Sequence, residues 1–276
     1  MPIITLTTDF GEKDHFAGAV KGAIYKELED AKIVDISHSV SPFHISEAAY
    51  IIQNAYKNFP KGTIHIIGID SELTPDNTHL AVYLDEHYFV CADNGIISLI
   101  TLDITPTKIV KINIQDRVSG DFPVLEVFVK VACHIARGGT LEVIGKEIKS
   151  IKQLKGISPV ISDNNNQVIG NVVYIDNYGN VVTNITKILF EKVRQGRSFT
   201  ITARTVKFKE IFSKYSEAIN FNIAPEKREE DGKKLAIWNA SGYLELAIYK
   251  SNPQTVGSAS TLFGLYFRDT ITINFE

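Results

Sequence analysis

Cysteine is nearly absent from this chain of 276 residues, which carries two, Cys91 and Cys133. Both lie in apolar stretches and neither has metal-type spacing, so the sequence predicts reduced core thiols, not a disulfide framework or a zinc site. Long hydrophobic runs are missing as well. Nothing approaches the roughly 18 apolar residues of a membrane span, and Tyr88–Ile100 is broken by Asp93 and Asn94. The opening Met1-Pro2-Ile3-Ile4-Thr5 reaches Asp9 too soon to form the apolar region of a signal peptide. A cytoplasmic location is therefore expected. Neither charge is in surplus: 29 Lys and Arg stand against 32 Asp and Glu, a formal net charge of −3. That balance, with the signs interspersed, argues against a nucleic-acid partner held through its phosphates. No GxGxxG or GxxxxGK[ST] phosphate loop occurs, and no GxSxG nucleophile elbow. The seven histidines form no HxxxH or HxH pair, so neither a metal nor a resident cofactor is expected.

What remains is an ordinary globular composition, 44% hydrophobic and 22% charged. At roughly 150 residues per domain, the length gives about two domains. The first half alternates strand and helix signals. Ile3–Thr8 is a β-rich run stopped at Asp9-Phe10-Gly11. Helices are expected over Phe16–Leu28, Ile45–Phe59 and Val124–Ala136, and strands over Ile33–Ile36 and Thr63–Ile69. Leu80–Tyr83 and Tyr88–Cys91 read as a hairpin. This pattern predicts an α/β N-terminal domain with a mainly parallel sheet flanked by helices, over residues 1–155.

The character changes near residue 155. Short β-rich runs follow at Val168–Asp176, Val181–Ile185, Phe199–Thr202, Leu235–Trp238, Tyr243–Tyr249 and Thr270–Phe275, separated by turn clusters and the charged loop Pro225–Lys234. They predict an all-β, barrel-like C-terminal domain over 156–276.

Polar residues gather at strand ends. Asp9 closes the first strand, Asp70 the third, and Asp176 the first of the second domain, while Asp93-Asn94-Gly95 follows Tyr88–Cys91. Taken singly, each is a common turn former. Together they mark a pocket beyond the carboxyl ends of the strands, without naming its ligand.

Read as motifs, the same segments say more. Thr8-Asp9-Phe10-Gly11 with Asp14, Phe16, Gly18 and Lys21-Gly22 opens a series. It continues through Val34-Asp35-Ile36-Ser37-His38, Val40-Ser41-Pro42-Phe43 and Phe59-Pro60-Lys61-Gly62-Thr63. Asp93-Asn94-Gly95, Asp176-Asn177-Tyr178-Gly179-Asn180, Thr183-Asn184 and Gly242-Tyr243-Leu244-Glu245 complete it. The series resembles the S-adenosylmethionine hydroxide adenosyltransferase family, which also contains fluorinases and chlorinases. The resemblance implies a small-molecule substrate, S-adenosylmethionine (SAM), attacked in line at ribose C5′ by water or halide with methionine leaving. It also implies a homotrimer with each site between subunits.

Carried over residue by residue, Asp9 would accept both ribose hydroxyls, a task that suits an ionised carboxylate. Phe43 would pack against ribose or adenine. Asp176 would meet the methionine ammonium, Tyr178 would flank the adenine, and Asn180 would hydrogen-bond it.

The pattern breaks where the family's hydrolytic members handle water with an Asp-Arg-His set. Asp70 is present, but its turn reads Ser71-Glu72-Leu73-Thr74, the arginine position falls on Asn77, and the histidine position falls on Pro123. Ala240-Ser241 stands where a Ser-Arg pair is usual. Three functions follow. The first is hydrolysis of SAM to adenosine and methionine, with Asp70 and Asn77 as the catalytic pair and Glu72 or His79 assisting. The second is an adenosyl-binding protein with lost or altered catalysis. The third, ranked last, is a halogenase, since Asp70 and Glu72 would repel a halide.

Overall fold

The computed structural model describes residues 2–101, 104–114, 121–228, 230 and 232–276; positions 229 and 231 of the charged loop lie outside the described residues. The chain forms two compact units, Met1–Gly156 and Ile157–Glu276.

The first unit runs β1 (Ile3–Thr8), α1 (Phe16–Glu27), β2 (Lys32–Ser37), α2 (Ile45–Ala55), β3 (Ile64–Gly68), β4 (His79–Leu84) and β5 (His87–Ala92). After these come α3 (Ile96–Thr101), β6 (Lys108–Ile112), α4 (Val129–Ala136) and β7 (Gly145–Glu147). The sheet order is β2-β1-β3-β5-β4-β6-β7. The pairs β2-β1, β1-β3 and β3-β5 are parallel, and those beyond β5 are antiparallel, so the parallel half is the half that carries Asp9 and Asp70. Strand periodicity splits the core in two. Ile4, Leu6, Ile64 and Ile66 face α1 and α4, while Ile67, Ile69, Leu80 and Val82 face α2 and α3. Each fully buried isoleucine, such as Ile24 of α1 or Ile52 of α2, contributes about 1.5–3 kcal/mol through removal from water. Cys133 lies in the first of these cores and Cys91 in the second, both as free thiols.

The helix read over Val124–Ala136 begins differently from expectation. Val124–Phe128 is a π-helical turn that runs directly into α4. Such turns recur at functional sites.

The second unit contains β8 (Val160–Ile161), β9 (Gln167–Ile175), β10 (Val181–Thr186), α5 (Lys187–Arg194), β11 (Phe199–Ala203) and β12 (Val206–Phe208). It continues with β13 (Lys234–Trp238), β14 (Tyr243–Ile248), α6 (Ala259–Phe263) and β15 (Thr270–Phe275). Every pairing is antiparallel, in the order β12-β11-β15-β9-β10-β14-β13, with β8 added beside β9. Phe212, just past β12, makes a single parallel bridge to Ile237 of β13 and nearly closes the barrel. Its interior packs Phe190, Ile201, Leu244, Leu246 and Ile273. The helix α5 was hidden in the β-rich reading. Thr186 caps its start by accepting from the Leu189 N–H at 3.2 Å, and Gln195 ends it in the left-handed region.

Among the described residues, no helix is long and apolar enough to cross a membrane.

Candidate active site

The strand order β2-β1-β3 reverses at β1: the chain leaves β1 for β2 on one side and returns to β3 on the other. Such a reversal leaves a crevice beyond the carboxyl ends of the strands, the usual ligand site of open α/β sheets. Thr8 pairs with Gly68 in the parallel register, so Asp9 and Asp70 emerge from adjacent strand ends. A cleft of about 710 Å³ opens there, lined by Asp9, Phe43, Asp70, Glu72, Asp121 and Pro123 among others. Among the described residues its walls hold four carboxylates and no lysine, arginine or histidine.

Local geometry fixes each side chain. Oδ2 of Asp9 accepts the Phe43 N–H at 2.8 Å. Behind Asp9, the Thr8 hydroxyl meets Nδ1 of His38 at 2.8 Å, and Nε2 of His38 lies 3.1 Å from Oδ1 of Asp35. Burial would raise the Asp35 carboxyl, but the contacts with Lys21 and His38 outweigh it and hold the group below its usual value. The His38 carbonyl accepts the Gly11 N–H at 2.7 Å, which pins the far side of the same loop.

Phe43 and Asp70 both adopt left-handed backbone, with φ of 60° and 45°. Each costs on the order of 1–3 kcal/mol, and such strain concentrates at functional sites. Phe43 is 72% exposed at the cleft, an unusual place for a large apolar group. In the same cleft, Phe10, Phe16 and Phe122 form a mutual aromatic cluster with centroids 5.4, 5.7 and 5.8 Å apart. Gly68 lets the π-helical turn approach the floor, since a Cβ there would stand 2.9 Å from Cγ2 of Val124.

Asn77 is buried, and its amide donates to the carbonyls of Asp70 at 2.8 Å and Glu72 at 3.0 Å. It stands behind the Asp70 turn and holds it. His79, fully buried on β4, meets the Ser71 carbonyl through Nε2 at 3.0 Å, and burial lowers its pKa. Oδ1 of Asn77 and Nδ1 of His79 are buried without a partner among the described residues. The Asp93-Asn94-Gly95 cluster is a brace. Asn94 donates to the Ile69 carbonyl at 2.9 Å, and Asp93 accepts the Lys152 N–H at 2.9 Å.

In the second unit, the loop after β9 is organised around Asp176. Its Oδ1 accepts the N–H groups of Tyr178 at 2.9 Å and Asn180 at 2.8 Å, and its Oδ2 accepts the Asn180 amide at 3.0 Å. Gly179, at φ 72°, is forced: a Cβ would fall 2.2 Å from Oγ of Ser258. Tyr178 is exposed and Asn180 buried, and both line a pocket of about 360 Å³ shared with Tyr215, Tyr249 and Lys250.

The structure thus gathers Asp9, Phe43 and Asp70 at one cleft, with Asn77 behind it, and Asp176, Tyr178 and Asn180 in one loop of the second unit. Sequence reasoning missed Tyr215, which sits in a segment with no motif, and Phe122 and Asp121 as cleft walls. Phe10 and Phe16 belong to the opening motif and line the cleft as well. The one available signal for this aromatic cluster was the concentration of phenylalanine next to the strand-end Asp9.

Residues 4–145 match the SAM hydroxide adenosyltransferase N-terminal domain, and residues 170–272 match the C-terminal domain of the same group. An (R)-S-adenosyl-L-methionine hydrolase of Methanocaldococcus jannaschii is 27% identical, over 99% of this chain and 96% of its own length. A fluorinase of Actinopolyspora mzabensis is 21% identical over 89% of this chain and 90% of its own. The solved structure of an uncharacterized conserved protein from Thermotoga maritima matches with a TM-score of 0.82 at 25% identity, covering 99% of this chain and 100% of that one. With both domains matched in order and full-length relatives on either side, the chain belongs to the SAM hydroxide adenosyltransferase family.

Proposed function

We propose that the protein hydrolyses S-adenosyl-L-methionine to adenosine and L-methionine, by in-line attack of water at ribose C5′. One observation carries the reading: two strand-end carboxylates, Asp9 and Asp70, flank a cleft at the sheet reversal that holds no basic wall residue among those described. A cationic sulfonium suits such a cleft, and a halide does not.

The sulfonium is a good leaving group, so the enzyme's work is to align water and remove its bulk neighbours. Asp9 keeps lone pairs beyond the one given to Phe43, enough to accept ribose hydroxyls. Phe43 covers the sugar or the base. Asp70 takes the attacking water, and Asn77 fixes Asp70 by gripping its carbonyl. In the second unit Asp176 receives the ammonium, while Tyr178 and Asn180 take the adenine. We further propose a homotrimer, in which the cleft of one subunit and the pocket of a neighbour complete each site.

A second reading, adenosyl binding without turnover, is favoured by Pro123, which lines the cleft where a proton-accepting side chain would serve. Incubation with SAM and chromatography for adenosine and methionine separates the two. Turnover supports hydrolysis; tight adenosine binding by calorimetry without turnover supports the second reading. Light scattering tests the trimer, which a monomer at micromolar concentration would overturn.

A further inference from the structure

The outer face of β13 and β14 is covered by the segment following β12. Leu235, Ile237 and Ala247 pack there against Phe212, Ala218 and Tyr249. One strand position on this face breaks the apolar pattern. Glu245 of β14 is 4% exposed, between the buried Leu244 and Leu246. A carboxyl in such a place costs several kcal/mol unless it is well bonded, and burial raises its pKa. It is bonded: Oε1 of Glu245 accepts the Tyr215 hydroxyl, and the Asn239 side chain supplies a second contact. Asn239 is itself fixed, because its Oδ1 accepts the N–H groups of Ser241 at 3.1 Å and Tyr243 at 3.0 Å.

Tyr215, half-exposed, links this buried carboxyl to the surface. Its ring lines the pocket that also contains Tyr178 and Asn180. It sits on a short 3-10 turn, Tyr215–Ala218, in a long connection between strands. Left to itself, a tyrosine on such a turn would sample several rotamers. The bond to a rigid strand residue selects one, and a planar ligand benefits when its wall is set in advance.

We propose that Glu245 is a positioning residue, which through the Tyr215 hydroxyl fixes the Tyr215 ring as a wall for the adenine base. The proposal rests on the reading that this pocket takes the adenine. Tyr215 lines the pocket and Glu245 stands behind it, so Glu245 acts through the ring and the effect falls on binding. Gln at 245 still offers the phenol a partner, because a tyrosine hydroxyl both donates and accepts. Leu fills similar space and offers none.

The test compares adenosine affinity by calorimetry and SAM kinetics for the wild type, Glu245→Gln, Glu245→Leu and Tyr215→Phe. Expected results are a rise of about tenfold in adenosine Kd and SAM KM for Glu245→Leu, with kcat within about twofold, and recovery to within about threefold of wild type for Glu245→Gln. Wild-type affinity in Glu245→Leu overturns the proposal, as does an equal loss in Glu245→Gln. If Glu245→Leu does not fold, Tyr215→Phe decides: a severalfold rise in Kd supports the role of the bond, and no change overturns it. If the wild-type protein itself binds neither adenosine nor SAM, the adenine reading fails and the proposal with it; normal wild-type binding with unaffected variants removes the proposal alone.

Discussion

The carboxylate of Asp9 holds Phe43 in a left-handed conformation, by accepting its main-chain N–H at 2.8 Å across 34 positions of sequence. One residue at the end of β1 therefore shapes the opposite rim of the cleft as well as offering its own oxygens to a ligand. Asp9→Ala is expected to raise the SAM KM by more than about tenfold, because both tasks are lost. Adenosine lacking its 2′- and 3′-hydroxyls separates them. It should bind the wild type weakly and lose little more in the variant, a coupling that calorimetry on the four combinations measures.

Asp70 and Asn77 are expected to behave differently. Asp70→Asn should lower kcat by about 100-fold or more with KM nearly unchanged, as for a group engaged with the attacking water. Asn77→Ala removes two buried hydrogen bonds to the Asp70 turn, so it should lower stability by about 1–3 kcal/mol in urea and also lower kcat. If Asn77→Ala keeps full activity, its role in holding Asp70 is wrong.

Halides should not be substrates. Asp9, Asp70, Glu72 and Asp121 share the cleft with no basic residue among those described, so these four carboxylates repel an entering anion. Incubation with SAM and saturating fluoride or chloride is expected to yield no 5′-halogenated adenosine by mass spectrometry. A halogenated product would reverse the ranking of nucleophiles.

Acid should destabilise the first unit through a buried histidine pair. Nδ1 of His65 meets the Thr5 hydroxyl at 2.7 Å, and Nε2 meets Nδ1 of His87 at 3.3 Å, under the ring of Tyr56. Burial, with a smaller contribution from His87, pushes the His65 pKa down to about 3. Unfolded, His65 takes a proton near pH 6.5, so between pH 6.5 and 3 the unfolded chain binds more protons and stability falls as pH falls. The slope is about 1.4 kcal/mol per pH unit for one such group. His79 and His87 shift the same way and add to it. Urea midpoints at pH 7, 5.5 and 4.5 should fall steeply for the wild type and more gently for His65→Gln. Parallel slopes would contradict the assignment.

The strand ends and their carboxylates were legible in the sequence because a polar turn directly after an apolar run marks a boundary whatever the tertiary context. Asp9, Asp70 and Asp176 were found that way. The behaviour of Asn77 was not legible, because its partners are main-chain carbonyls set by a turn whose backbone no residue type specified. The parallel and antiparallel halves of the first sheet were blurred for a similar reason: β6 and β7 are short, and their pairing is decided by strands distant in sequence. The pairing of Tyr215 with Glu245 lies 30 positions apart in a region with no repeating pattern. The π-helical turn at Val124 has the same hydrophobic spacing as an α-helix over so few residues, so periodicity could not reveal it.

The bridge from Phe212 to Ile237 has a thermodynamic consequence. The stretch that seals the barrel seam runs on within three residues to Tyr215, so the segment that closes the seam also carries the pocket wall. A ligand that prefers the completed pocket then acts as a remote clasp on β12 and β13. At 100 times its Kd it would add about 2.7 kcal/mol against opening, and hydrogen exchange at the two outermost strands of that sheet would report its arrival.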